Sequence, residues 1–127
     1  MAYKYIKSYT ATATTNPKTV FALDGKVLGV VDDVDNVDYY EAGDEVPVVV
    51  DGVTKLKATT YAYDSTSSSW IKTPAVEGDV LFYDSTNKLV KIDNGTATPD
   101  QIIGKVLKVI IPQSSDSDGI YEIKVGL

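Results

Sequence analysis

The sequence predicts an all-β fold, a small barrel or sandwich of short antiparallel strands, and three observations predict it. Val, Thr, Ile and Tyr dominate the apolar positions, which favours strands over helices. Turn residues recur every few positions, with Asp-Gly pairs at Asp24-Gly25, Asp51-Gly52 and Asp118-Gly119. Almost no stretch shows helical spacing of apolar residues. At 127 residues, the chain fits one domain with an ordinary core.

Residues 1–19 differ from the rest, being rich in Thr, Ala, Tyr and Lys with Ile6 the single large aliphatic. Tyr3, Tyr5, Lys7 and Tyr9 alternate as on one face of an extended strand. We read 1–19 as an extended arm suited to strand addition on a neighbour; the plainer reading is an edge strand of the domain's own sheet. The domain proper, 20–127, follows. Thr19 to Leu23 reads as a strand closed by Asp24-Gly25, and Lys26 to Val31 returns. A charged loop runs from Asp32 to Asp44. Glu45 to Val50 is a strand in which Pro47 suggests an edge or a bulge, and Asp51-Gly52 predicts a hairpin into Val53 to Thr60. Tyr61 to Tyr63 and Trp70 to Thr73 flank a Ser-rich turn. Val80 to Tyr83 and Leu89 to Ile92 flank another, so that Tyr63-Asp64-Ser65-Thr66 is echoed by Tyr83-Asp84-Ser85-Thr86. Gly25 to Val31 is similarly echoed by Gly104 to Ile110. Thr98-Pro99-Asp100-Gln101 predicts one helical turn with Pro at its first position. Ile103 to Ile111 and Ile120 to Val125 complete the set.

Composition narrows function. The net charge is −6, which argues against direct nucleic-acid binding because phosphate contact needs a basic face. There is no Cys and no His, and all 12 basic residues are Lys. Thiolate chemistry, the commonest general base and the bidentate guanidinium clamp are therefore missing. No nucleophile elbow or phosphate loop is present. We expect a protein that is not an enzyme and uses no cofactor. No apolar run approaches the ~20 residues of a membrane span, and the N-terminus lacks the apolar core of a signal peptide, so synthesis in the cytoplasm without export is expected.

Three groups of residues are candidate sites. Asp33, Asp35 and Asp38 offer alternating oxygen ligands for a hard cation, but the loop lacks the Gly and Glu of a calcium loop, and a solvated loop is the plainer reading. Trp70 with Tyr61, Tyr63 and Tyr83 could form a platform for sugars or a partner, although core is the plainer reading of aromatics in a small β protein. Tyr39-Tyr40 sits in a charged loop with little reason for burial, and with Tyr3, Tyr5, Ile6 and Tyr9 makes the best candidate contact surface, since Tyr is favoured at interfaces.

A more specific pattern lies in Gly78-Asp79-Val80-Leu81-Phe82-Tyr83-Asp84-Ser85-Thr86-Asn87-Lys88-Leu89-Val90. It resembles a hairpin of the short capsid decoration proteins of tailed phages. Ile103-Gly104-Lys105-Val106-Leu107 and Gly119 to Val125 resemble that family's later strands, and Val27 to Val30 and Ala42 to Val48 its early ones. The likeness spans about 25–127, and departs from the family in the long acidic loop 32–44 and from Lys108 onward. It implies a β-barrel or β-tulip-like domain, commonly a homotrimer, bound to the major capsid protein on the outer surface of the virion. There it would stabilise the head, with residues 1–19 as the contact segment. The alternative is an adhesion module of a head or tail fibre that binds host surface glycans through Trp70 and Tyr63.

Overall fold

A computed structural model describes residues 3–34 and 36–126. It is all-β, with strands β1 (Lys4–Thr10), β2 (Val20–Leu23), β3 (Lys26–Val31), β4 (Glu45–Ala58), β5 (Thr60–Asp64), β6 (Ser69–Lys72), β7 (Val80–Asp84), β8 (Leu89–Ile92), β9 (Ile102–Ile111) and β10 (Gly119–Val125). Between β8 and β9, Pro99–Gln101 forms a 3₁₀ turn in which Gln101 Oε1 accepts the Thr98 N–H at 3.0 Å. No helix among the described residues is long and apolar enough to cross a membrane.

The strands form one sheet in the order β2-β3-β4-β10-β9-β7-β8-β5-β6, with β1 added to β4 off this path. All pairings are antiparallel except β5 with β8. The ends, β2 and β6, do not pair with one another, so the sheet is not a closed barrel. Local turns specify which neighbours pair, but closure depends on strand tilt and stagger around the whole sheet, which turn spacing does not encode.

β4 is the hub, and it corrects one expectation. Asp51-Gly52 makes no hairpin; the strand runs through it for 14 residues. Gly52 pairs with Lys4 on one edge and Val125 on the other. Its φ is +111°, and a Cβ there would collide with the Tyr3 carbonyl, so glycine here permits close approach of β1 rather than a turn. Pro47 sits where the β3 ladder runs out: its carbonyl accepts the Asp32 N–H at 2.9 Å, and the hydrogen bond that its missing N–H would return is the last one lost. Asp24-Gly25 does turn, with φ of 52° and 77°, the left-handed pair a two-residue hairpin needs.

Alternation along β3 and β4 builds two cores. Val30 and Val49 face a large cluster with Leu56, Leu81, Ile103, Val106, Tyr121 and Ile123. Val31, Val46 and Val48 face a smaller one with Phe21 and Ala11, flanked by Tyr9 and Tyr40. A buried polar knot closes the large core where β4 bends into β5. Gln113 Oε1 accepts the Thr60 N–H at 2.8 Å and the Tyr121 hydroxyl at 2.6 Å, while Gln113 Nε2 donates to the Thr60 carbonyl. The Thr60 hydroxyl accepts the Ala75 N–H at 3.0 Å. Each buried polar group here is satisfied by another, as burial demands.

Within the segment read as an arm, Lys4–Thr10 is a strand hydrogen-bonded to β4 of the same chain, and the backbone then bends at 12–13 and turns at 17–18. Of the two sequence echoes, the Tyr-Asp-Ser-Thr pair is structural, each copy forming a hairpin tip. The other is not: Gly25 lies in a turn at positive φ, whereas Gly104 lies inside β9 with its backbone against the Lys124 carbonyl.

Candidate contact surface and cleft

β1 positions three of the six expected contact residues, Tyr5, Ile6 and Tyr9, and Tyr3 immediately precedes it. It pairs with β4 along one edge and with no strand along the other, among the described residues. Val49 and Pro47 turn their backbone groups toward β3, so their partners Ile6 and Ser8 turn theirs outward. Tyr3, Tyr5 and Ile6 are 55%, 56% and 45% exposed. The strand is pinned by its ends. Lys4 Nζ lies 2.8 Å from Asp32. The Ser8 and Thr10 hydroxyls both donate to Glu45 at 2.7 Å, and these two bonds hold the Glu45 carboxyl below its usual range. Near Tyr3, Lys124 Nζ contacts Asp51 at 2.7 Å and lies 5.9 Å from the Tyr3 ring centre. That contact lowers the Asp51 pKa and raises that of Lys124.

The other expected contact residues divide. Tyr39 is 54% exposed. Tyr40 is half-buried beside the smaller core, its backbone exchanging hydrogen bonds with Thr15 at 2.9 and 2.7 Å. Burial first, and Asp32 second, push its hydroxyl pKa up. Tyr9 is also half-buried and stacks on Phe21 with ring centres 5.6 Å apart. Tyr9 and Tyr40 are thus packed against the smaller core, whereas Tyr3, Tyr5, Ile6 and Tyr39 are exposed.

In the acidic loop, Asp33 lies 3.6 Å from Lys18, and Asp33 and Asp38 line a small hollow with Lys18, Lys57 and Asp118. Asp35 lies outside the described residues. Among those described, no three acidic side chains come together as cation ligands.

The aromatic platform is split by the fold. Trp70 is half-buried, packed edge-on against Tyr63 at 5.4 Å and Phe82 at 5.7 Å, with Lys91 Nζ 4.4 Å from its ring centre. One face of the indole is thus taken by a cation–π contact. Lys91 is in turn paired with Asp84 at 2.8 Å. Tyr61 and Tyr83 instead line a cleft of roughly 770 Å³, which Trp70 and Tyr63 do not enter. β2 forms one wall of that cleft, and Tyr61 of β5 with Lys72 of β6 contributes to another. The cleft is therefore the gap where the sheet fails to close. Sequence reading missed it because its lining comes from segments scattered from Thr12 to Asp118.

No protein-family model, no curated protein and no solved structure matches this chain.

Proposed function

We propose that this chain is a non-catalytic structural protein of a phage virion that decorates the capsid by binding the major capsid protein, as a homotrimer, through the outer edge of β1. The observation that supports this reading most is that edge. It offers outward backbone donors and acceptors at Ile6 and Ser8 beside exposed Tyr3, Tyr5 and Ile6. Strand addition at such an edge supplies main-chain hydrogen bonds, and the tyrosines supply contact area. The resemblance of the β7–β8 hairpin and of β9 and β10 to capsid decoration proteins supports the choice of partner, and a barrel- or tulip-like arrangement belongs to the same reading. Because β1 is seated on its own sheet, docking uses its free edge and needs no release of the strand.

The test is light scattering of the purified chain, then co-sedimentation with empty tailed-phage shells. A trimer that pellets with shells is expected. Ser8→Pro removes an outward N–H, leaves the β4 ladder in place, and should abolish pelleting while melting stays within a few degrees of the parent. A monomer that stays in the supernatant, or a folded Ser8→Pro variant that still pellets, overturns the proposal.

A further inference from the structure

We propose that the cleft between β2 and the β5–β6 and β7–β8 hairpins binds an acidic oligosaccharide. The argument starts from charge. The molecule carries −6 overall, yet this cleft gathers Lys57, Lys72 and Lys88 against one carboxylate, Asp118. Lys57 and Lys88 join no ion pair among the described residues, and Lys72 Nζ makes a long 3.2 Å bond to the Ser115 carbonyl. The site is thus a positive pocket on an acidic protein, and a concave one concentrates that field.

The rest of the lining selects among anions. Thr12, Thr14 and Ser85 offer hydroxyls that both donate and accept, while those of Thr15 and Thr19, which donate to the Ala13 and Asn16 carbonyls, still accept; this suits sugar hydroxyls. Tyr61 and Tyr83 bring rings on which a pyranose can lie, and both are half-buried and so held in place. Asp118 accepts from the Thr59 hydroxyl at 2.5 Å with one oxygen, leaving the second to accept from a sugar. The chain has no Arg to grip a polyphosphate. Leu56, Ala58 and Val90 make a firm apolar floor. The volume lies inside the range of about 300–1,000 Å³ usual for ligand sites. No residue of β1 lines the cleft, so this site and the capsid-facing edge can fail independently.

The experiment is a titration of the isotope-labelled full chain with trigalacturonate, followed by amide NMR. Shifts confined to cleft residues such as Thr14, Tyr61 and Ser85 are expected, with maltotriose, a neutral trisaccharide, binding at least 10-fold more weakly. A Lys57→Gln/Lys88→Asn double variant should lose at least 10-fold in affinity. Asn is chosen at Lys88 because its φ is +57°, a conformation Asn tolerates. Unchanged melting of the variant and unchanged binding in Lys105→Gln, whose lysine lies outside the cleft, separate the site from general charge. Absence of cleft shifts, equal binding of maltotriose, tighter binding of oligothymidylate, or an unaffected folded double variant would each overturn the proposal.

Discussion

Two hairpins of this molecule share a tip and differ in everything around it. β5–β6 and β7–β8 both turn through Tyr-Asp-Ser-Thr. Both tips end on a non-glycine residue in the left-handed region, Ser68 at 53° and Lys88 at 57°. In the first, Asp64 accepts the Thr66 N–H at 3.1 Å and the Ser67 hydroxyl at 2.9 Å. In the second, Asp84 accepts the Thr86 N–H at 3.0 Å, the Asn87 amide at 2.8 Å and Lys91 Nζ at 2.8 Å. The first hairpin lies at the end of the sheet, where Tyr63 and Ile71 are exposed; the second lies between β9 and β5, where Leu81, Phe82, Val90 and Lys91 are buried. Turn chemistry is local, but the energetic weight of a turn is set by what flanks it.

That difference can be broken by substitution. The largest effect is expected at the strands: Phe82→Ala should cost about 3–5 kcal/mol in urea unfolding, as large core truncations do, whereas Ile71→Ala should cost under ~1 kcal/mol because its side chain is half in water already. Next come the turn aspartates. Asp84→Asn leaves the Lys91 ammonium, only 9% exposed, without its carboxylate, and should cost about 2 kcal/mol at pH 7. Asp64→Asn keeps a side-chain acceptor and strands no buried charge, so less than ~1 kcal/mol is expected.

The same contrast sharpens with pH. Lys91 first, then Asn87, hold the Asp84 carboxyl at about 2, below the ordinary carboxylate value near 3.9. A depressed folded pKa stabilises above the unfolded pKa and loses that contribution as pH falls through the folded one. The stability gap between the parent and Asp84→Asn should therefore be constant above about pH 5 and shrink from about pH 4 toward pH 2, measured by urea unfolding at each pH. A gap unchanged at pH 2 would show that the Asn costs through geometry rather than charge. The smallest effect is at the tips. Ser68→Gly and Lys88→Gly each relieve a left-handed residue and should stabilise by similar amounts, within about 1 kcal/mol; unequal gains would show that the two tips are not equivalent.

Local signals in the sequence reached as far as local structure. Asp24-Gly25, both Tyr-Asp-Ser-Thr tips and the Pro99 turn are specified by residues within a few positions, and each was legible. Asp51-Gly52 has the same chemistry as Asp24-Gly25 yet runs straight, because Lys4 and Val125 supply it with ladder partners on both edges. Those partners lie some 50 and 70 residues away, where no turn rule looks. Lys91 is buried because Trp70 and Asp84, on other parts of the sheet, both contact its ammonium. Exposure of Tyr3, Tyr5 and Tyr39 followed from their polar surroundings, whereas Tyr9 and Tyr40 are drawn inward by Phe21 and the Thr15 bridge. The cleft was invisible for the same reason as the missing closure: both depend on how the two ends of the sheet face each other.

The position of β10 bears on the order in which the chain can be made into a protein. Of the ten described strands it is the last to be synthesised, and among the described residues it is the one strand that pairs with both β4 and β9. Until it emerges, strands β1–β4 and β5–β9 are two separate pieces of sheet. Residues 59–118, 60 residues in all, separate β4 from β10, which at ~5–20 residues per second is a wait of roughly 3–12 s on the ribosome. Throughout that wait the Val53–Ala58 edge of β4 stands open to wrong partners. Lys55 and Lys57 sit on that edge, two like charges on the template that a nascent chain most needs to keep unpaired.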